Sequence, residues 1–227
     1  MQVVILADGD VGPRAAIDAA WPGWRGADPV VIAADGGARH AANLGLTIDR
    51  WVGDGDSIGE DDLAALASSG VPIERSRPDK DESDTELALR AALRLDPAAI
   101  AIVGATDGAR IDHTLANLAL LDMDGLAGRD VRLIGADTRI RLLRAPGSDG
   151  GPVRLGLAGR EGDIVSLLPL GSDALGVRTT GLRYPLHDEP LATGGARGLS
   201  NVRIDGAAAA VELRSGRLLV IESPATL

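Results

Sequence analysis

IDRWVGDGDSIGEDDLAALASSG, Ile48 to Gly70, decides how this chain is read. An apolar run, Ile48 to Gly53, has the look of a buried strand and leads straight into GDGDS (Gly53 to Ser57). Ser57 and Glu60 then have capping-box spacing for a helix through Ser69, which Gly70 closes. The same strand–acidic turn–helix unit recurs on either side. Val71 to Arg75 leads into KDESD (Lys80 to Asp84) and a helix from about Asp84 to Leu95. Ile100 to Val103 leads through the Gly104 to Asp112 loop into ARIDHTLANL (Ala109 to Leu118), helical to about Asp122. Upstream, Val3 to Ala7 precedes Asp8-Gly9-Asp10 and a helix near Arg14 to Ala20. Val30 to Ala34 precedes Asp35-Gly36-Gly37 and a helix that Gly45 stops. Val131 to Gly135 is a further strand. Repeated units of this kind predict a mostly parallel sheet flanked by helices, the acidic turns lying beyond the carboxyl ends of its strands, where ligands bind.

After Asp137 the pattern changes to short extended segments between Gly and Pro clusters. They are Arg139 to Leu143, Val153 to Leu157, Asp163 to Leu168, Gly176 to Thr179, Val202 to Ile204, Ala208 to Leu213 and Arg217 to Ile221. Ser215-Gly216 sits between the last two like a hairpin turn. The expected fold class is α/β: an N-terminal domain over residues 1–136 and a smaller C-terminal antiparallel β-sandwich domain over residues 137–227. No internal repeat is evident.

Composition narrows the function. The 227 residues are 45% hydrophobic but only 2% aromatic, so Leu, Val, Ile and Ala build the core. A net charge of −10 disfavours a broad nucleic-acid footprint. It does not disfavour anionic substrates, because a bound metal reverses the local sign. With no Cys there are no disulfides, thiolate ligands or Cys nucleophile. No segment approaches the roughly 18 apolar residues of a membrane helix. Val3 to Ala7 is a first strand rather than a signal peptide, and the expected location is cytoplasmic.

Several carboxylates held at one sheet edge repel one another unless a cation compensates. Asp54 and Asp56 can bracket a hard ion such as Mg²⁺, or form a solvated turn. Asp81 and Asp84 can face the same ligand, or cap a helix together with Ser83 and Glu86. Lys80 suits a phosphate, or balances Asp79 and Asp81. Arg110 suits bidentate phosphate contact, with Asp112 orienting it or ligating metal; the plainer reading is a surface pair. His113 reads as structural, and Asn117 lies one turn further on. Tyr184, the aromatic of the second half, can stack on a ring or anchor the core. Trp21 and Trp24 read as packing or subunit-contact residues.

These motifs, in this order, resemble the thiamine pyrophosphokinase (thiamine diphosphokinase) family over nearly the whole chain. The family blocks Asp-Gly-Gly, Gly-Asp-x-Asp-Ser, Lys-Asp-x-(Thr/Ser)-Asp and Arg-x-Asp-His-x-x-x-Asn fall on Asp35 to Gly37, Gly53 to Ser57, Lys80 to Asp84 and Arg110 to Asn117. Ser166 to Leu170, Thr180 to Leu182 and Ser200-Asn201 also look like family signatures. Ser83 stands where Thr is common, and Tyr184 where many members carry Trp. The Gly104 to Arg110 loop is one residue longer than usual.

The resemblance implies diphosphate transfer from ATP to the thiamine hydroxyl, releasing AMP, in a homodimer whose site is shared between subunits. Residues 1–136 would then bind ATP and Mg²⁺, and residues 137–227 thiamine. Asp54, Asp56, Asp81 and Asp84 would hold Mg²⁺ and, with Arg110, carry catalysis, Asp81 taking the hydroxyl proton. Asp35, Gly36, Gly37, Ser57, Lys80, Arg110, Asp112, His113 and Asn117 would bind ATP. Thr180, Tyr184, Ser200 and Asn201 would hold thiamine. The rival expectations are a diphosphokinase for a pterin-like alcohol and a non-catalytic thiamine or nucleotide sensor.

Overall fold

The structure is a computed structural model that describes residues 1–108, 110–204 and 208–225. The chain forms two compact units, Met1–Ala136 and Asp137–Leu227.

The first unit runs β1 (Gln2–Leu6), α1 (Arg14–Ala20), β2 (Val30–Ala34), a 3-10 helix (Asp35–His40) continuing into α2 (Ala41–Leu44), and β3 (Arg50–Gly53). It goes on through α3 (Glu60–Ser68), β4 (Ile73–Arg75), α4 (Asp84–Leu93), β5 (Ala99–Val103), α5 (Ile111–Leu120) and β6 (Asp130–Ile134). Its strands lie in the order β6-β5-β1-β2-β3-β4, every pair parallel. Strands covered on both faces must be apolar on both, and Val3, Val4, Ile5 and Leu6 are each 0% exposed. Burying one such side chain contributes about 1.5–3 kcal/mol. Trp21 and Trp24 are buried packing residues; their indole N–H groups donate to the Gly135 carbonyl at 2.8 Å and to Asp18 Oδ1 at 2.9 Å.

Helix α3 starts later than the capping-box reading predicts. It begins at Glu60 with Gly59 as its N-cap, and Ser57 Oγ donates to Asp56 Oδ1 at 2.9 Å. The acidic turn uses Ser57 for itself. The carboxylates of Glu60, Asp61 and Asp62 face the helix's positive end in place of a cap. Helix α4 is capped conventionally, Ser83 Oγ accepting the Glu86 amide at 3.2 Å.

The second unit contains β7 (Arg139–Ala145), β8 (Val153–Leu157), β9 (Ile164–Pro169), β10 (Ala174–Thr180), β11 (His187–Leu191), β12 (Asn201–Val202), β13 (Ala209–Leu213) and β14 (Gly216–Ser223). They form two antiparallel layers, β12-β9-β14-β7 and β11-β10-β13-β8. Leu143, Val165, Leu167, Leu218 and Val220 of the first meet Leu157, Val177, Val211 and Leu213 of the second in one core. Ser215-Gly216 is not a hairpin turn. Strands β13 and β14 belong to different layers, and the chain crosses between them there. Gly216 has φ +104°, and a Cβ on it would lie 2.7 Å from the Asp173 carbonyl oxygen.

Candidate active site

Strand β1 hands the chain to β2 on one side of the first unit's sheet, whereas β5, on β1's other side, hands it to β6. The connections part between β1 and β5, and such a switch point opens a crevice at the carboxyl ends of the strands. Backbone bonds stitch the two loops that floor it, from the Gly9 amide to the Gly104 carbonyl at 2.9 Å and from the Asp10 amide to the Asp107 carbonyl at 2.9 Å. Residue 9 must be small, because a Cβ there would sit 2.1 Å from the Asp107 carbonyl oxygen. The crevice widens into a cleft of about 670 Å³. Asp8, Asp10, Asp35, Asp56, Ser57, Lys80, Asp84, Arg110, His113 and Asn117 are among its lining residues.

Asp35 is the buried centre of this edge. It is 1% exposed and takes a left-handed backbone, φ +43°. Its carbonyl accepts the Trp51 indole N–H at 3.1 Å, and its Oδ2 accepts the Gly55 amide at 3.0 Å. Its Oδ1 is buried and has no hydrogen-bond partner among the described residues. Burial pushes the carboxyl of Asp35 up; the Gly55 amide opposes this, and the carboxylates of Asp84, Asp56 and Asp54 push it further. Oxygens of Asp35, Asp54 and Asp56 come within 4.8 Å of one another. An unsatisfied buried oxygen among three hard donors fits a hard divalent cation.

Lys80 spans the far side of this group. Its Nζ lies 2.7 Å from Asp54 Oδ2 and 2.8 Å from Asp84 Oδ1. Burial pulls the Lys80 ammonium down, but its bonds to Asp54 and Asp84 outweigh burial and hold it above the ordinary lysine range. The same bond from Lys80 holds Asp54 below the ordinary carboxylate range. The sequence motif KDESD therefore delivers Lys80 and Asp84 to the cleft. Asp81 is exposed and is not among the lining residues.

Arg110 lines the cleft but bonds Asp112 in the first turn of the helix it precedes, Nε to Oδ1 at 2.9 Å and Nη2 to Oδ2 at 2.5 Å. This hydrogen bond holds Asp112 far below the usual range and raises Arg110. Both side chains are exposed, so the pair is readily exchanged for a better anion. Asn117 is buried and donates to the Ala105 carbonyl at 2.9 Å, bracing the loop after β5. His113 is exposed at the cleft. Ala109 of the same motif lies outside the described residues. Gly36 and Gly37 stand behind Asp35. A Cβ on Gly37 would fall 2.1 Å from the Leu6 carbonyl oxygen, so this turn packs directly on β1.

In the second unit, the segment from Thr180 to Tyr184 lies beside the one from Ser200 to Ile204. The Arg183 amide donates to the Val202 carbonyl at 2.8 Å, and the Ile204 amide to the Gly181 carbonyl at 3.1 Å. Asn201 is buried and clamps Tyr184, accepting its amide at 3.0 Å and donating to its carbonyl at 2.7 Å. Tyr184 is no core anchor; it is 63% exposed. Ser200 takes φ +56°, its amide donating to Ser166 Oγ at 3.1 Å. Thr180 is exposed, and its Oγ1 donates to the Ala208 carbonyl at 3.3 Å. Sequence reasoning missed Arg39 and His40, which hold the loop after β1. Their only signal was a basic pair just after Asp-Gly-Gly.

Two family models match, "Thiamin pyrophosphokinase, catalytic domain" over residues 24–124 and "Thiamin pyrophosphokinase, vitamin B1 binding domain" over residues 153–218. The thiamine pyrophosphokinase of Bacillus subtilis (strain 168) is 29% identical over 178 residues, 75% of this chain and 76% of that protein. A crystal structure of thiamine pyrophosphokinase from Bacillus subtilis superposes with a TM-score of 0.81 at 25% identity, covering 99% of each chain. A thiamin pyrophosphokinase family protein from Enterococcus faecalis gives 0.79 at 26% identity, covering 98% of this chain and 99% of that one.

Proposed function

The chain belongs to the thiamin pyrophosphokinase family, and from that premise we propose how its residues carry the reaction. It is a thiamine diphosphokinase, transferring diphosphate from ATP to the thiamine hydroxyl. The vitamin B1 binding domain over residues 153–218 favours thiamine over a pterin-like alcohol as acceptor. The observation that carries the catalytic reading is the buried, unpartnered Asp35 Oδ1 beside Asp54 and Asp56. A pure sensor has little use for such a costly group.

Asp35, Asp54 and Asp56 would hold Mg²⁺. When bound, the ion would supply charge neutralisation for the ATP phosphates. Lys80 keeps Asp54 ionised and oriented and offers its own charge to phosphate. Arg110 leaves Asp112 to meet the phosphates as negative charge moves onto the leaving group. The thiamine hydroxyl oxygen attacks the β-phosphorus. The bond from that phosphorus to the oxygen bridging the α-phosphate breaks, and AMP leaves with that oxygen. The hydroxyl proton passes to a carboxylate at the cleft. Asp56, which lines it, is better placed for this than Asp81. Most of the acceleration comes from alignment and charge compensation. Thr180, Tyr184, Ser200 and Asn201 would present thiamine.

A phosphorus NMR time course with ATP, Mg²⁺ and thiamine tests this. Thiamine diphosphate and AMP should appear in equal amounts, and EDTA should stop both. ADP with thiamine monophosphate would overturn the diphosphoryl mechanism.

We also propose a homodimer sharing the site, from exposed apolar residues in each unit. Ile111 and Leu115 on α5 are 70% and 60% exposed, and Leu199 beside Ser200 is 47% exposed. Sedimentation equilibrium should return twice the chain mass; a monomer would remove this proposal. A cytoplasmic location is part of this proposal. No helix among the described residues is long and apolar enough to cross a membrane.

A further inference from the structure

We propose that Arg39 is a positioning residue for Asp35, acting through the backbone of the turn that presents Asp35 to the cation. The inference rests on reading Asp35 as a cation ligand. Asp35 holds a left-handed backbone with a buried carboxylate, a conformation that persists only where its surroundings over-determine it. Trp51 of β3 and Gly55 of the turn that follows it fix it from one side. From the opposite side the fixing is done by Arg39. Its Nη1 donates to the Gly36 carbonyl at 3.0 Å and to Asp8 Oδ1, and its Nη2 donates to the Asp8 carbonyl. One planar fork thus ties the residue after Asp35 to the loop after β1. His40 adds a parallel tie, its Nε2 standing 2.9 Å from the Gly9 carbonyl, so that nitrogen carries the proton. Burial and the neighbouring Arg39 charge hold His40 below its ordinary range.

Arg39 and Asp8 side chains are about half exposed, at 49% and 46%. A pair so wet adds little to global stability. What it can do is fix geometry. A guanidinium has five donors in a rigid plane and can serve three acceptors at once, which a lysine ammonium on a flexible stem cannot do with the same alignment. Groups that orient a metal ligand from behind typically govern affinity by 10–100-fold.

The test reads cation binding without substrates. Mn²⁺ binding to the ligand-free protein is followed by electron paramagnetic resonance in wild type, Arg39→Ala, Arg39→Lys and Asp35→Asn. Arg39→Ala should weaken Mn²⁺ binding by about 10–100-fold, and Arg39→Lys should recover little of it. Both should melt within about 2–4 °C of wild type in the absence of metal. In assays, the Mg²⁺ concentration for half-maximal rate should rise by a similar factor while the KM for thiamine stays unchanged. Wild-type Mn²⁺ affinity in Arg39→Ala, or full recovery by Arg39→Lys, would overturn the proposal. Mn²⁺ binding undiminished by Asp35→Asn would overturn the cation reading itself, and this inference with it.

Discussion

Asp35→Asn is expected to abolish turnover and to make the protein more stable at the same time. The loss follows from removing a buried carboxylate proposed to hold the cation, for a fall in kcat/KM of roughly 10²–10³-fold. The gain follows from the direction in which Asp35 is shifted. Burial and the carboxylates of Asp84, Asp56 and Asp54 hold it above its ordinary range, so its ionised form is strained in the fold at pH 7. A carboxyl raised in this way supports the fold below its unfolded pKa of about 4, and that support is lost as pH rises through the folded value. Asn keeps the oxygen that accepts the Gly55 amide and tolerates the left-handed backbone. A gain of about 0.5–2 kcal/mol at pH 7 is expected, shrinking to nothing near pH 4.

Asp54→Asn serves as the contrast. Lys80 holds Asp54 below its ordinary range, so its charge supports the fold above its unfolded pKa, and that support fades as pH falls. Asp54→Asn should lose turnover and lose stability too, with the deficit closing at low pH. Thermal melts between pH 4 and 8 distinguish the pair. Equal destabilisation by both substitutions would remove the picture of one strained carboxylate beside one supported carboxylate.

The parallel half of the fold was open to sequence reading because its physics is local. Strands buried on both faces show as unbroken runs such as Val3 to Leu6 and Ile100 to Val103, and Gly45 and Gly70 stop helices where their backbone is left-handed. The second half was less open. Strand β11 is HDEPL, polar and carrying Pro190, and it escapes any hydrophobic pattern. It lies at the edge of its layer, the place where a sheet tolerates proline. The Ser215-Gly216 crossing mimics a hairpin because two strands flank a short turn in both cases; only the pairing of β14 with β7 and β9 tells them apart.

At the site, motif spacing brought Asp54, Asp56, Lys80 and Asp84 to one edge but did not reveal that Asp35 is buried. An Asp-Gly-Gly turn looks like a phosphate or ribose contact, and burial is not written in three residues. Asp35 is held by Trp51 of β3 and by Gly55 of the turn after it, and Arg39 bonds the next residue, Gly36. For Arg110 the sequence left two readings, an anion contact at a helix start and a surface pair with Asp112, and the fold shows the pair.

Glu222→Gln is expected to cost the second unit about 3 kcal/mol while leaving the chemistry untouched. Glu222 sits on β14 directly opposite Arg139 of β7, and it is 3% exposed. Arg139 grips it with two bonds, Nε to Oε2 at 2.9 Å and Nη2 to Oε1 at 2.8 Å, and Arg141 Nη2 adds a third to Oε2 at 2.7 Å. One carboxylate therefore serves two guanidinium groups whose side chains are 9% and 11% exposed. The pairing itself adds little over an apolar core, since the charges were costly to bury; breaking it is another matter, because both cations stay inside. The Ala158 and Gly156 carbonyls, at 2.9 Å and 3.2 Å, also accept from Arg139 and Arg141. Gln matches Glu in shape and keeps an acceptor, so the loss isolates charge from packing. Urea unfolding should show a midpoint lower by about 1 M or more with an unchanged slope. Turnover per folded molecule should match wild type, because all of the carboxylates proposed to hold the cation lie in the other unit. A midpoint equal to wild type would mean the two arginines do not depend on Glu222 for their charge balance.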